Sequence, residues 1–266
     1  MLTIPQRCKT PNGSAYVETG SGEPLVLIHG VGMRMEAWAP QIAALDRTHR
    51  IIAVDMPGHG ASARIARDAK LEDFVAWFGT FLSDMHLEQV NVAGHSMGAL
   101  IAGGAAATFG NRIRRVALLN AVYQRDPVAR DAVMARATQI DAGVIDAEGP
   151  LKRWFAEDER QSEAYRLTRL WLSEVDPEGY ATAYSAFAGG DATYSDAWPR
   201  IACPALFLTG QDDFNSTPAM AEAMARAAPQ GIARTVADHR HMVNLTAPDT
   251  VNEILAEWLS REVVHS

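Results

Sequence analysis

Cysteine is scarce in this chain: 266 residues carry only Cys8 and Cys203, far apart in sequence. That count excludes a disulfide-stapled secreted scaffold and fits two reduced structural thiols in a cytoplasmic protein. Neither thiol belongs to a Cys/His cluster with zinc-ligand spacing. Long apolar runs are also missing, so no stretch spans a bilayer. The N-terminus, MLTIPQRCKTPNG, lacks the charged segment followed by an apolar one that marks a signal peptide. Basic charge is short too. Lys and Arg number 24 against 32 Asp and Glu, a net charge of −8, and no basic stripe is present. Nucleic acid and anionic membranes are therefore excluded as partners. There is no internal repeat and no low-complexity segment. What the chain does have is 48% hydrophobic residues and the length of one large α/β domain with an insertion. The expected partner is a small-molecule substrate, and the expected state is a monomer or homodimer.

Strand and helix patterns alternate through the first 120 residues. Residues 2–9 and 14–19 suggest a hairpin turned at Pro11-Asn12-Gly13. LVLIH (25–29), IIAVD (51–55), QVNVAG (89–94) and RRVALLN (114–120) are short apolar strands. Residues 35–45 and 71–85 have helical periodicity, the latter with Leu71, Phe74, Val75, Phe78 and Leu82 on one face. The alternation then stops. Residues 121–198 contain no convincing buried strand and are helical, charged and aromatic. It resumes with CPALFLTG (203–210), a helix from Pro218, a strand near 231–236 and a helix near 248–260. This pattern implies a mostly parallel α/β sheet with helices on both faces. Its core comprises 1–120 and 199–266, and 121–198 form an inserted helical cap.

VNVAGHSMGALIAGGAA (90–106) sets one serine between glycines, directly after a strand and directly before a helix. Gly94-His95-Ser96-Met97-Gly98 fits G-x-S-x-G. So abrupt a turn strains the backbone of its central residue, and flanking side chains would clash. The hydroxyl then stands above the sheet at the positive end of a helix. A nucleophile needs such a setting, and a structural serine does not.

Serine at neutral pH needs a base, and the base needs an orienting acid. ADHRHMVNLTAPD places His239 and His241 between the last strand and the last helix. His241 is the preferred base and His239 the alternative. TGQDDFNSTP places Asp212 and Asp213 just past a strand end. Asp213 is the preferred acid, with Asp212 its solvated neighbour. Asn120, at the end of the strand before the insertion, carries no charge to stabilise an imidazolium. Backbone N–H groups of Met97 and of Val31, with Gly32 second, are the expected oxyanion donors, because the loop His29-Gly30-Val31-Gly32-Met33 lets backbone approach a ligand closely. His95 is expected to shape the turn.

These segments resemble the α/β-hydrolase superfamily. LVLIHG with Trp38 downstream, DMPGHGAS (55–62), GHSMGA (94–99), GQDD (210–213) and HMVNLTAP (241–248) stand in that family's order over nearly the whole chain. The resemblance implies a serine hydrolase with no cofactor and no metal. It also implies a scaffolding turn at Asp55 and His59. Residues 153–191 are similar in pattern to the cap of enol-lactonases and related esterases. Enol-lactonases more often carry leucine before the serine. Meta-cleavage carbon–carbon hydrolases usually carry asparagine there and tryptophan after the histidine, where this chain has His95 and Met242. Ser96 argues against dehalogenases and epoxide hydrolases, which use aspartate.

The leading expectation is hydrolysis of a small carboxylic ester or lactone through an acyl-enzyme on Ser96, with His241 as base and Asp213 as orienting acid. Carbon–carbon or amide cleavage by the same residues is the alternative, and a non-catalytic ligand receptor on the same fold is the alternative from another class. Gly30, Gly32, Arg34, Trp38, Trp154, Tyr184, Phe187 and Met242 are the expected substrate contacts. Arg34 is favoured over Arg125, Arg153, Arg166 and Arg169 as a carboxylate ligand because it follows the oxyanion loop. Met33, Met35, Met97 and Met242 suit either a pocket wall or core filling.

Overall fold

The computed structural model describes residues 5–144 and 146–263. Residues 2–4 of the expected hairpin lie outside them. Eight strands form one sheet in the order β1-β2-β4-β3-β5-β6-β7-β8. They are β1 (Cys8–Lys9), β2 (Ala15–Thr19), β3 (Pro24–Ile28), β4 (Arg50–Val54), β5 (Val90–His95), β6 (Ile113–Leu119), β7 (Ala205–Gly210) and β8 (Gly231–Val236). β1 and β2 pair antiparallel, as do β2 and β4, and every other pairing is parallel.

Period-two alternation builds two separate cores. Val26, Ile28, Ile52, Val54, Val92, Val116, Leu118 and Phe207 face one side, with Phe74, Phe78 and Ile101. The last three lie on α2 (Leu71–Asp84) and α3 (Met97–Phe109). Leu25, Leu27, Ile51, Ala53, Ala117, Leu119, Leu206 and Leu208 face the other, with Ile42, Val251 and Trp258. Those three lie on α1 (Ala39–Leu45) and α10 (Pro248–Leu259), the latter preceded in the chain by α8 (Pro218–Ala227) and the short α9 (Val243–Thr246). Strands apolar on both faces need helices on both faces, because no sheet surface is left polar enough for water.

The expected helix 35–45 is a 3₁₀ turn, Met35–Trp38, followed by α1. Pro40 has no N–H to return to Glu36, so Ala39 N–H takes that carbonyl instead. Between β6 and β7 the described residues form four α-helices, α4 (Pro127–Asp141), α5 (Glu148–Trp154), α6 (Glu163–Ser173) and α7 (Pro177–Gly189), with two short 3₁₀ turns. Asp126 and Asp176 cap α4 and α7, accepting from the N–H three residues on, and each precedes a proline that needs no partner in the first turn. α7 packs along α4 and touches α2 and α3. A side chain at Gly58 or Gly179 would strike the other's backbone, so α7 meets the turn after β4 at backbone distance. Among the described residues no helix is long and apolar enough to cross a membrane.

Candidate active site

Ser96 is the single residue between β5 and α3, with φ 55° and ψ −114°. Such a conformation costs a non-glycine residue of order 1–3 kcal/mol. Local bonds hold it: Ser96 N–H donates to Leu119 O at 2.9 Å, and Ser96 O accepts from Ala99 N–H at 3.0 Å. A Cβ on Gly94 would collide with the Gly98 carbonyl, and one on Gly98 with the Ile28 carbonyl. Both glycines of the motif are thus required by backbone contact.

Asp213 and His241 come from the loops after β7 and β8, and both are almost wholly buried. His241 Nδ1 donates to Asp213 Oδ2 at 2.7 Å. The other carboxylate oxygen accepts from the N–H groups of Asn215 at 2.8 Å and Ser216 at 3.1 Å. Burial pushes the Asp213 carboxyl up, but His241 and the hydrogen bonds outweigh it and hold it below the ordinary carboxylate value. Asn120 has a part that sequence did not reveal: its Nδ2 donates to Asp213 Oδ2 at 2.8 Å. His239, the alternative base, instead binds Glu159 Oε1 at 3.2 Å and Thr246 Oγ1 at 2.9 Å. Asp212 is exposed.

Three further histidines are buried scaffold. Burial holds His29 and His59 down to about 4 and His95 to about 3, so all are neutral at pH 7. His29 Nε2 accepts from Met56 N–H at 2.9 Å, and His59 Nε2 accepts from Gly32 N–H at 3.0 Å. Asp55 Oδ1 accepts from Met35 N–H at 2.8 Å. Together these bonds fix the loop after β3. They also withdraw Gly32 as an oxyanion donor. Val31 N–H has no acceptor among the described residues. Met97, as the first residue of α3, has no intrahelical partner for its N–H.

Ser96, His241 and Val31 line one cavity of about 200 Å³, at the carboxyl ends of the strands. α4, α5 and α7 supply much of the wall, including Trp154, Tyr184 and Phe187. Phe214, 70% exposed, lies at its rim. Five expected contacts are elsewhere. Trp38 is fully buried in the core on the other face of the sheet, with Ile42 and Trp258. Met242 is core on the α2/α3 face. Arg34 is drawn away to Glu174 at 3.0 Å and Glu36 at 3.7 Å and lies over Trp171. Gly30 is packed behind Ser96 and His95, and Gly32 faces Leu172 and Tyr180.

The cationic wall comes from Arg125, Arg136 and Arg153. Arg125 is 7% exposed, pairs with Asp191 at 3.4 Å and lies 4.5 Å from the Phe187 ring, with its Nη2 unpartnered. Arg136 Nε donates to Tyr184 Oη at 3.1 Å. Neither Arg136 nor Arg153 has a carboxylate at ion-pair distance among the described residues. Burial and the neighbouring Arg136 both push the Arg153 guanidinium down. Arg136 was missed from sequence, although Ala129, Ala132, Val133 and Arg136 recur at i, i+3, i+4 and i+7 on α4, one helical face.

Residues 25–254 match the alpha/beta hydrolase family. The chain belongs to that family. This hydrolase is 50% identical over 244 residues to the (E)-2-((N-methylformamido)methylene)succinate hydrolase of Acinetobacter baylyi, a match covering 92% of this chain and 93% of the relative. It is similar in structure to a thermophilic esterase from Thermogutta terrifontis (TM-score 0.86, 26% identity, 96% of this chain and 98% of that one). An enol-lactonase from Burkholderia xenovorans LB400 is equally similar (TM-score 0.86, 27% identity, 96% and 100%).

Proposed function

We propose that this alpha/beta hydrolase cleaves the amide bond of a small dicarboxylate of the acylamino-methylenesuccinate type through an acyl-enzyme on Ser96. The observation that carries the reading is the composition of one cavity. It holds Ser96 and His241 together with three guanidinium groups, two of them without an ion-pair partner among the described residues, against one carboxylate, the exposed Asp126 that caps α4. Unpaired cations in a partly desolvated wall favour an anion of matching geometry, and guanidinium binds carboxylate through two parallel hydrogen bonds. The 50%-identical relative is named for a succinate bearing a formamido group, which supplies both the carboxylates and the amide.

In this reading Ser96 Oγ attacks the amide carbonyl and passes its proton to His241 Nε2. Asp213 holds the opposite nitrogen and stabilises the imidazolium. The N–H groups of Val31 and Met97 receive the oxyanion, each worth about 3 kcal/mol of transition-state stabilisation. His241 then protonates the leaving nitrogen, and water, activated by the same base, releases the acid. The insertion acts as a cap, with Trp154, Tyr184 and Phe187 shaping the acyl and leaving-group space. Hydrolysis of an ester or lactone of similar shape is the second reading, favoured by the likeness to the enol-lactonase and the esterase.

The test compares an N-acylaminomethylenesuccinate with 4-nitrophenyl acetate on the wild type and Ser96→Ala. Turnover of the dicarboxylate amide at a kcat/KM at least tenfold above the ester is expected. Ser96→Ala should retain no more than about a thousandth of either activity, the residue left to oxyanion binding alone. Unchanged Ser96→Ala activity, or turnover confined to neutral esters, refutes the reading.

A further inference from the structure

His241 lies in the loop between β8 and α9 (Val243–Thr246), and one hydrogen bond to Asp213 leaves a ring free to tilt about that contact. The ring has two further neighbours. His95, the last residue of β5, gives Nε2–H to the His241 carbonyl at 2.8 Å, with ring centroids 5.0 Å apart at 59°. Trp154, the last residue of α5, stacks on the imidazole at 5.4 Å and 25°. The backbone repeats the contact, since His241 N–H donates to Trp154 O at 3.3 Å. The two preceding residues are tied to the same segment. Arg240 Nη1 donates to Lys152 O at 3.2 Å and Phe155 O at 3.0 Å, and His239 meets Glu159. Three consecutive residues of the base loop are thus joined to residues 152–159 of the insertion.

We infer that the segment 152–159 aligns the base, and that Trp154 is a positioning residue for His241. The inference rests on His241 serving Ser96 as its base, as proposed above. Trp154 has two duties: it lines the cavity, and its indole face sets the plane of the imidazole, leaving Nε2 as the free nitrogen. His95 closes the other flank from the nucleophile's own strand. A reacting group displaced by about 1 Å loses on the order of 10²-fold in rate, so tethering the loop bears directly on turnover. Arg153, next to Trp154, brings a cation into the same cavity. Substrate capture and base alignment therefore share one short element, and displacing it removes both.

The experiment measures the rate of Ser96 labelling by a small fluorophosphonate, with kcat and KM for 4-nitrophenyl acetate and a melting curve beside it. Trp154→Ala is expected to slow labelling at least tenfold and to lower kcat more than it raises KM, with Tm within a few degrees of wild type. Trp154→Phe, which keeps an aromatic face, should recover labelling to within about threefold. Arg240→Ala, which removes two tethers at a residue that does not itself line the cavity and touches it only through the Phe214 ring at the rim, 5.2 Å away, should slow labelling three- to tenfold. It stands as the test if Trp154→Ala does not fold. Labelling at the wild-type rate in folded Trp154→Ala or Arg240→Ala overturns the inference. So does a change confined to KM. Absence of Ser96 labelling in the wild type would instead defeat the underlying nucleophile assignment.

Discussion

Replacing Arg153 by methionine should separate binding from stability with opposite signs. The guanidinium has no ion-pair partner among the described residues, and burial and Arg136 both disfavour its charge. The cavity wall therefore holds two unpaired like charges, Arg136 and Arg153, partly withdrawn from water. Methionine keeps an unbranched apolar stem and removes the charge. Stability should hold or rise, with Tm no more than about 2 °C below wild type, given that 1 kcal/mol is about 2–4 °C for a chain of this size. Substrate binding should suffer. A hydrogen bond to a charged group is worth about 1.5–3 kcal/mol, which at about 1.4 kcal/mol per decade is roughly a 10- to 150-fold loss in kcat/KM. The assay sets a methylenesuccinate amide beside 4-nitrophenyl acetate. The loss should fall on the dianion, with the neutral ester changed by less than about threefold, since no carboxylate is there to be held. Added salt should raise the wild-type KM for the dianion more than that of the variant. Equal losses on both substrates would refute the reasoning. A fall in Tm of more than about 8 °C would do so as well, by making Arg153 a brace.

Three further outcomes are expected. His241→Ala should cost about as much activity as Ser96→Ala, because members of such a unit fail together; His239→Ala should be much milder, and the reverse ranking in kcat would move the base. Asp213→Asn should keep the fold and lower kcat by about 10⁴-fold, the effect of losing the charge behind an imidazolium; a drop under tenfold would show that Asp213 is not the group that orients and stabilises the base. Acid should destabilise the protein early. His29, His59 and His95 titrate near 4, 4 and 3 when folded, below the 6.5 expected of the unfolded chain, so as pH falls below 6.5 the unfolded state binds protons the native state does not. Each contributes up to about 1.4 kcal/mol of lost stability per pH unit, roughly 4 kcal/mol for the three together. Urea midpoints at pH 7.5, 6.5 and 5.5 measure this, and a flat profile would show that the histidines are not buried neutral.

Features set by neighbours in the chain were readable without the structure. The alternating strands between 25 and 119 were legible because a period of two is a local property of side-chain direction. GHSMG was legible because an abrupt strand-to-helix turn admits only small flanking residues, and Gly94 and Gly98 indeed meet backbone. The split of 35–45 at Pro40 was within reach of the same local argument, from the missing N–H. Asn120 was set aside for lacking charge, yet its amide reaches Asp213 from 93 residues away.

Composition and order along the chain determined the sheet, the layered helices and the narrow choice between His239 and His241. Tertiary structure alone decided which long side chains meet the cavity. Arg34 follows the loop after β3 but is taken by Glu174, 140 positions on, whereas Arg136, on an unremarked helix, lines the same cavity as Ser96 and His241. Trp38 and Met242 are close to the site in sequence but are core side chains. The physical reason is that an arginine's direction is set by whichever carboxylate or ring the fold brings within a few ångströms, and such pairings are spatial, not sequential.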